Sequence, residues 1–392
     1  MIYTDEDLRD MAISEVCHAK SEDRRHVICE YSRYLRNVDF VFADENKGTD
    51  YISPIINMFA LERGEICSAF YSNRLSVLNL DLLTGKKDGF YLNFDIGLDT
   101  QIVSYIERYI NGTLNDINVG IIKPLQINRP IPSDINIDAY VSENCIISKE
   151  VNPIQMRSIW STFYFLNLPC MPEQDAKLNA DEATYNIVKF IQKARMANVY
   201  KERYHYTYCM LLKIVLLHFE KTTIKEKLSE LLHFENEITC TSDVTFINIG
   251  IAFWEQGAKL KFFGKVQKGK QDILVVLKNM AWDIFHWTQT TLNFDVEPKK
   301  KADINIPLFY SVDSRFLELS KIIRLKAIAL DRNTRVTYPY ETDRLSEYLS
   351  NEEARVYFNP QTLHARNQKR GYVDTEKISK ELELELISRG IF

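Results

Sequence analysis

The chain has 392 residues, of which 45% are hydrophobic and 26% are charged, as is typical of a globular protein with two or three domains. The formal net charge of −5 excludes a global positive field, so any nucleic-acid contact must come from a local basic patch. The seven scattered cysteines include no CxxC pair, which argues against a zinc cluster and indicates reduced thiols in the cytoplasm.

The sequence gives no sign of membrane association. The N-terminus is acidic and lacks the apolar segment of a signal peptide. The most apolar candidate for a membrane span, residues 209–219, is too short and contains Lys213 and His218. We therefore expect a cytoplasmic protein that does not associate with a membrane.

The order of strand and helix patterns predicts an α/β core that is interrupted by a long helical block. Residues 154–236 have helical spacing almost throughout, whereas residues 240–253 are rich in Thr, Val and Ile and are predicted to include a strand. We divide the chain into an N-terminal extension packed on the main sheet, a core in two segments, a mainly helical insertion and a C-terminal extension: residues 1–85, 86–150 with 270–330, 151–269 and 331–392.

A strand, an aspartate and a helix follow one another twice in the predicted core. Residues 90–98 alternate between apolar and other side chains, and helical spacing begins after Asp99 and Thr100. Asp313 stands in the same position after residues 304–310, where Pro307 predicts a bulge or an edge strand. Each aspartate has two interpretations, as a helix cap or as a ligand beyond the carboxyl end of a strand.

One further carboxylate can reach the same sheet edge. Asp283 lies on or beside the apolar stripe of a predicted helix over 272–287, where an aspartate is costly to bury without partners. Carboxylates that are brought together repel one another, and the simplest partner for them is a hard divalent cation such as Mg²⁺ or Mn²⁺.

These segments resemble the motifs of PIN-like nucleases. The sequence LDTQIVSYI, which contains Asp99, is similar to the first motif, and INIPLFYSVDSRFLEL, which contains Asp313, is similar to the last. Glu143 and Asp283 match the acidic residues between them, so the order is Asp, Glu, Asp, Asp. The alternatives to Glu143 are other acidic residues of the core and insertion: Asp95, Glu107, Asp138 and Glu182.

The resemblance implies a parallel-sheet PIN-like core and a Mg²⁺- or Mn²⁺-dependent phosphodiesterase that acts as an endonuclease. Asp99, Glu143, Asp283 and Asp313 would be catalytic, and the three aspartates would bind the metal. Ser311 and Thr100 would position a water or a carboxylate. We expect RNA rather than DNA as substrate and, by analogy alone, a toxin-like or phage-defence effector that a protein partner regulates.

Residues 259–270 form the most basic segment, with two phenylalanines, Phe262 and Phe263, among its lysines. One interpretation is a solvated loop or hairpin. The other is an arm that contacts nucleic-acid phosphates and stacks its aromatic rings on bases. In the second interpretation the nucleic-acid-binding residues are Lys259, Lys261, Lys265, Lys268 and Lys270.

A second class of function fits the same sequence. The helical block would then be a docking surface for a partner, and the aspartates would only cap helices, as in a non-enzymatic interaction protein. A dependence of stability or activity on divalent ions separates the two hypotheses.

Overall fold

The computed structural model describes residues 4–59, 61, 63–126, 133–146, 151–294 and 302–391. Its strands are β1 (Val38–Ala43), β2 (Thr49–Asp50), β3 (Glu65–Ser68), β4 (Arg74–Leu78), β5 (Leu92–Leu98), β6 (Ser133–Asn136), β7 (Ile304–Ser311), β8 (Leu325–Asp331) and β9 (Thr337–Glu341). The helices of the N-terminal third are α1 (Asp5–His18), α2 (Arg24–Glu30), α3 (Ser32–Leu35), α4 (Ser53–Met58), α5 (Leu80–Leu83), α6 (Thr100–Ile110), α7 (Asp116–Ile122) and α8 (Asp138–Val141). The remaining helices are α9 (Pro153–Asn167), α10 (Glu173–Ile191), α11 (Ala194–His218), α12 (Ile224–Phe234), α13 (Val244–Gln256), α14 (Ile273–Thr290), α15 (Ser314–Ile322), α16 (Asn351–Phe358), α17 (Pro360–Arg370) and α18 (Thr375–Ser388).

The central sheet has four strands in the order β3-β7-β5-β6. β5 runs parallel to β7 and to β6, and β3 is an antiparallel edge strand. The predicted α/β class with parallel strands is confirmed, although β3 makes this sheet mixed. Leu98, the last residue of β5, pairs with Tyr310, one residue before the end of β7, so the two strand ends lie next to each other.

Helices cover both faces of the central sheet. Phe94, Ile96 and Leu98 of β5 pack with α6 and α9 in one apolar cluster. On the opposite face Phe309 belongs to a second cluster, which is formed largely by α11, α13, α14 and α15. β7 is buried along its whole length, as expected of a strand between two helical layers.

A second sheet, in the order β2-β4-β1-β8-β9, is antiparallel. It combines β1, β2 and β4 from the predicted N-terminal extension, β8 from the end of the core, and β9 from the C-terminal part of the chain. Phe40 and Phe42 of β1 pack against α1 through Ile13 and Val16. Because β3 also joins the central sheet, residues 1–85 contribute strands to both sheets.

The helical block agrees with its prediction over α9 to α12. Two local predictions are wrong: the strand within residues 240–253, and the bulge or edge strand at Pro307. Residues 240–253 contain no strand; they lead into α13, whose residues from Thr245 to Trp254 are all buried. A helix that is buried on every side has no polar face, so it lacks the periodicity that identifies a surface helix.

Pro307 lies in the interior strand β7, which pairs with β5 without a bulge. Pairing of β7 with β3 ends at Leu308, one residue away, so Pro307 adjoins the end of that ladder rather than an edge strand. Among the described helices none has both the length and the apolar run needed to cross a membrane.

Partly buried acids join the helical block to the second sheet. Glu341, at the end of β9, accepts hydrogen bonds from the Thr245 hydroxyl at 2.5 Å and the Asn248 amide at 3.4 Å. Burial raises the pKa of Glu341 to about 8, and the negative charge of Asp243 is the second cause. Burial also raises the pKa of Asp243, the residue that caps α13. The protonated forms of these acids therefore stabilise the fold.

We predict that the free energy of unfolding falls as the pH rises from the ordinary glutamate range to about 8. The folded state holds the Glu341 proton more tightly than the unfolded state does, so stability is lost across that interval. Glu341→Gln keeps a neutral group of the same shape. It should flatten this slope and raise the melting temperature at pH 8 by about 2 °C or more, measured by calorimetry. An unchanged slope would contradict the assignment.

Candidate active site

Asp99 and Asp313 each follow a strand of the central sheet and cap the next helix. The Asp99 carboxylate accepts a hydrogen bond from the Gln101 amide at 3.3 Å, and that of Asp313 accepts one from the Arg315 amide at 2.8 Å. Because β5 and β7 end in register, both carboxylates lie at one sheet edge. Burial raises the pKa of Asp99, and the charge of Asp313 adds to this effect. The two aspartates are therefore caps and also electrostatic neighbours.

Ser311 links the two strand ends. It is fully buried as the last residue of β7, and its hydroxyl donates a short hydrogen bond to the Asp99 carboxylate. The same oxygen accepts the Asp313 amide at 3.1 Å. One hydroxyl thus orients Asp99 and holds the backbone that carries Asp313.

Glu143 reaches the site from an irregular turn. A π-helical turn, Ser142–Ile146, follows α8, and turns of this kind are frequent at functional sites. The Glu143 carboxylate accepts the Thr100 hydroxyl at 2.7 Å. Burial raises the pKa of Glu143, and the charge of Asp99 raises it further. Thr100 directly follows Asp99, so its hydroxyl joins the first acid of the site to the second.

Asp283 completes the group from α14. It is half-buried, and burial raises its pKa well above the ordinary value. The charges of Asp99, Asp313 and Glu143 raise it further, in that order of effect. The four carboxylates singled out in the sequence therefore act on one another, although they come from four different elements.

Arg315 is a cation of this site that the sequence analysis missed. Its guanidinium contacts the Asp313 carboxylate through Nε at 3.1 Å and Nη2 at 2.5 Å. Burial alone would raise the pKa of Asp313, but the hydrogen bonds and charge of Arg315 lower it. Arg315 also opposes the repulsion at Asp283. The sequence signal for this ion pair is the arginine that stands two residues after an aspartate at the start of a helix.

The side chains of the site are suitable ligands for a hard cation, since all four end in carboxylate oxygens. Across the ranges that the structure describes, however, no three Asp, Glu, His or Cys side chains lie close enough together to share one ion. The Asp99 and Glu143 carboxylates are held by hydroxyl groups, and that of Asp313 is held by Arg315. The structure thus shows coupled acids with fixed partners.

The alternatives to Glu143 lie elsewhere. Asp95 and Asp138 line a cavity deeper along the sheet, and Glu182 is exposed on α10. Glu107 accepts a hydrogen bond from Asn111 near the end of α6. Glu143, in contrast, is among the acids whose charges raise the pKa of Asp283.

The basic segment over 259–270 lies against α15, the helix that Asp313 caps. The Phe262 amide donates to the Glu318 carboxylate at 2.8 Å. Lys259, Lys261, Lys265 and Lys268 are exposed, and Lys270 forms an ion pair with Asp272 at 3.6 Å.

The proposed stacking role of the two phenylalanines is wrong, because Phe262 and Phe263 are buried in the apolar core. Phe263 stacks on Phe253, with ring centroids 3.9 Å apart. These rings anchor the segment and leave the lysines to the solvent.

Comparison with models of protein families, with curated proteins and with solved structures gave no significant match. The resemblance to PIN-like nucleases therefore depends on the motifs and their order, and it stays a prediction.

We predict that Asp283→Asn stabilises the protein in EDTA. At a pH high enough to ionise Asp283, the substitution removes one charge from a repelling group while keeping the shape of the side chain. The melting temperature should rise by about 2 °C or more. Asp272→Asn, at the start of the same helix, is the matched control because Asp272 is exposed, and it should change the melting temperature little. A lower melting temperature for Asp283→Asn would show that this carboxylate supports the fold.

Proposed function

We propose that this chain is a metal-dependent nuclease of PIN-like architecture that cleaves RNA. Support comes chiefly from Asp283, because the charges of Asp99, Asp313 and Glu143 all act on its half-buried carboxylate. Repelling acids of this kind reduce stability unless something neutralises them, and such groups concentrate at functional sites. A divalent cation is the simplest neutralising partner.

Asp99, Asp283 and Asp313 would hold Mg²⁺ or Mn²⁺ after their side chains move closer together than they lie in the metal-free structure. Glu143, which accepts a hydrogen bond from Thr100, would orient a water. When bound, the cation would polarise the scissile phosphodiester and lower the pKa of the attacking water. Arg315 has a role that follows from its geometry. A planar guanidinium that binds a carboxylate with two nitrogens can bind a phosphate in the same way. If a cation bound Asp313 in place of Arg315, the guanidinium of Arg315 would be free to bind the substrate phosphate.

The exposed lysines beside α15 would contact phosphates away from the cleaved bond. This segment is anchored to the helix that Asp313 caps, so substrate bound there would extend along that helix toward the acids. A role as a toxin-like or phage-defence effector under the control of a protein partner remains an extension by analogy.

We predict that Asp99→Asn and Asp313→Asn each lower the rate of RNA cleavage in Mn²⁺ by more than roughly 100-fold. A loss of up to about 100-fold is typical of residues that only orient the ligands of a metal. Asn caps a helix about as well as Asp does but lacks the negative charge that binds a hard cation. The melting temperature in EDTA should be equal or higher. Cleavage assays and thermal unfolding are measured on the same preparations.

Asp374→Asn is the matched control, since Asp374 caps α18 through the Lys377 amide at 3.0 Å and is not part of the acidic site. It should cleave RNA as the unmodified protein does. If the Asp99 and Asp313 variants melt earlier and keep their activity, both residues are structural caps and the nuclease proposal is wrong.

The lysines give a separate prediction. Changing Lys261, Lys265 and Lys268 to Ala should weaken RNA binding and reduce the slope of log affinity against log salt by about 2 to 3, because each phosphate contact releases counterions. Exposed lysines contribute little stability, so the melting temperature should stay within about 1 °C. Lys86, Lys221 and Lys326 are exposed elsewhere and form the control triple variant. Equal slopes for both triple variants would exclude the segment from the RNA path.

A specific observation also favours the second hypothesis, an interaction protein. Leu178 and Tyr185 of α10 are 61% and 57% exposed, and their spacing of seven residues puts them on one face of the helix. That face is a suitable docking surface for a partner. A thermal shift in millimolar Mn²⁺ that is lost in Asp99→Asn supports the nuclease, and no shift favours the interaction protein.

A further inference from the structure

A cavity of about 390 Å³, here called the junction cavity, lies where the central sheet meets the second sheet. Its walls come from β3, from the loop that leads to β4, and from the end of α15 with the residue before β8. The Leu325 amide donates to the Ala69 carbonyl at 2.8 Å, and the Tyr71 amide donates to the Leu325 carbonyl at 3.1 Å, so these segments are tied together. Ligand sites commonly have volumes of about 300 to 1,000 Å³, and the junction cavity is within that range.

Four charged side chains line the junction cavity, two of each sign: Glu45, Glu65, Arg74 and Arg324. Among the residues that the structure describes, none of these four has an ion-pair partner. Opposite charges that border one space without pairing leave both signs available to a ligand. The junction cavity therefore suits a molecule with an anionic group and with groups that donate hydrogen bonds to carboxylates.

Arg324 is the one of these four side chains that is half-buried. Its Nη1 donates a long hydrogen bond of 3.5 Å to the Tyr71 carbonyl, and its Nε is enclosed without a partner in the described part of the chain. Nη2 has no partner there either, but it is not enclosed, so it is the nitrogen that a ligand can reach. A half-buried guanidinium without a counter-ion reduces stability, and an anion in the cavity would neutralise it.

Two serine hydroxyls and a second guanidinium add unused donors. The Ser68 oxygen accepts the Phe70 amide at 3.1 Å, and the Ser72 oxygen accepts the Arg74 amide at 3.1 Å. The backbone thus holds both oxygens in place, and neither hydroxyl proton has an acceptor among the described residues. Arg74 donates through Nε to the Gly48 carbonyl at 2.9 Å, which leaves its two terminal nitrogens unused.

We propose that the junction cavity binds a sugar phosphate, with the phosphate at Arg324, Ser68 and Ser72. A phosphate monoester has three terminal oxygens that accept hydrogen bonds strongly, whereas one guanidinium already satisfies both oxygens of a carboxylate. Arg324 and the two hydroxyls supply donors to all three phosphate oxygens. Glu45 and Glu65 repel a phosphate but accept hydrogen bonds from hydroxyl groups, so the sugar would lie toward them.

The junction cavity is separate from the acidic site. It is lined by none of the four acids of that site: Asp99, Glu143, Asp283 and Asp313. Arg324 stands two residues after the end of α15, whereas Asp313 caps its start, and a helix of nine residues is roughly 14 Å long. Binding of a sugar phosphate here therefore does not depend on the proposed nuclease activity.

The test is calorimetric titration with ribose 5-phosphate, inorganic phosphate and ribose, in EDTA so that no metal ion holds phosphate at the acids. The unmodified protein should bind ribose 5-phosphate most tightly, inorganic phosphate more weakly and ribose not measurably. Arg324→Gln should weaken the binding of ribose 5-phosphate about 10-fold or more, the loss expected for a hydrogen bond to a charged group. Arg324→Lys keeps the charge but not the planar fork, so its affinity should be intermediate.

Lys321→Gln is the matched control, because Lys321 is an exposed cation three residues before Arg324 and does not line the junction cavity. It should leave the affinity unchanged. Ser72→Ala removes a donor from another wall and should also weaken binding, which covers a failure of the Arg324 variants to fold.

Two results would overturn the proposal. One is the absence of ribose 5-phosphate binding at millimolar concentration. The other is binding that Arg324→Gln and Ser72→Ala both leave unchanged. Equal affinities for inorganic phosphate and ribose 5-phosphate would overturn the assignment of Glu45 and Glu65 to the sugar.

Discussion

The hydrogen bond from the Asp99 amide to the Tyr310 carbonyl, 3.0 Å long, joins the ends of two strands that are far apart in sequence. It continues the parallel ladder of β5 and β7 by one residue beyond Leu98. A slip of one residue would turn the side chains after each strand to the opposite face of the sheet. The register of this pair therefore decides whether the two aspartates meet, and Ser311 reinforces it by bonding to both.

The fold tolerates four acids at one edge because three of them have a specific partner. Hydroxyl groups of Ser311 and Thr100 donate to Asp99 and Glu143, and Arg315 neutralises Asp313. The charges of the other three acids raise the pKa of Asp283, and the charge of Arg315 lowers it. The repulsion is thus greatest at one side chain of α14, and a cation or a proton bound there would give the largest gain in stability.

The parts of this arrangement that depend on local pattern could be predicted from the sequence. The change from period two to helical spacing placed both aspartates at strand ends, and the apolar stripe placed Asp283 toward the sheet. Long-range pairing could not be predicted. β1 and β8 are nearly 290 residues apart along the chain, and nothing local in either strand names its partner. The role of Arg315 was missed because a side-chain ion pair depends on rotamers, and α13 was missed because total burial removes its periodicity.

β5 also carries a feature that neither its burial nor its pairing explains. A strand between two helical layers is ordinarily apolar on both faces. In β5 the face toward α6 is apolar, but the face toward α14 presents a row without a single aliphatic side chain: Asn93, Asp95, Gly97 and finally Asp99.

This row must find polar partners under a helix. Asn93 is almost completely buried and donates to Asn305 at 2.8 Å and to Asp134 at 2.9 Å. Asp95 faces Asn293, and beyond it Gly97 lines the cavity that Asp95 and Asp138 also line. Packing alone would favour valine or isoleucine at each of these positions. The polar row therefore replaces apolar packing by hydrogen bonds along the face of β5 that leads to Asp99.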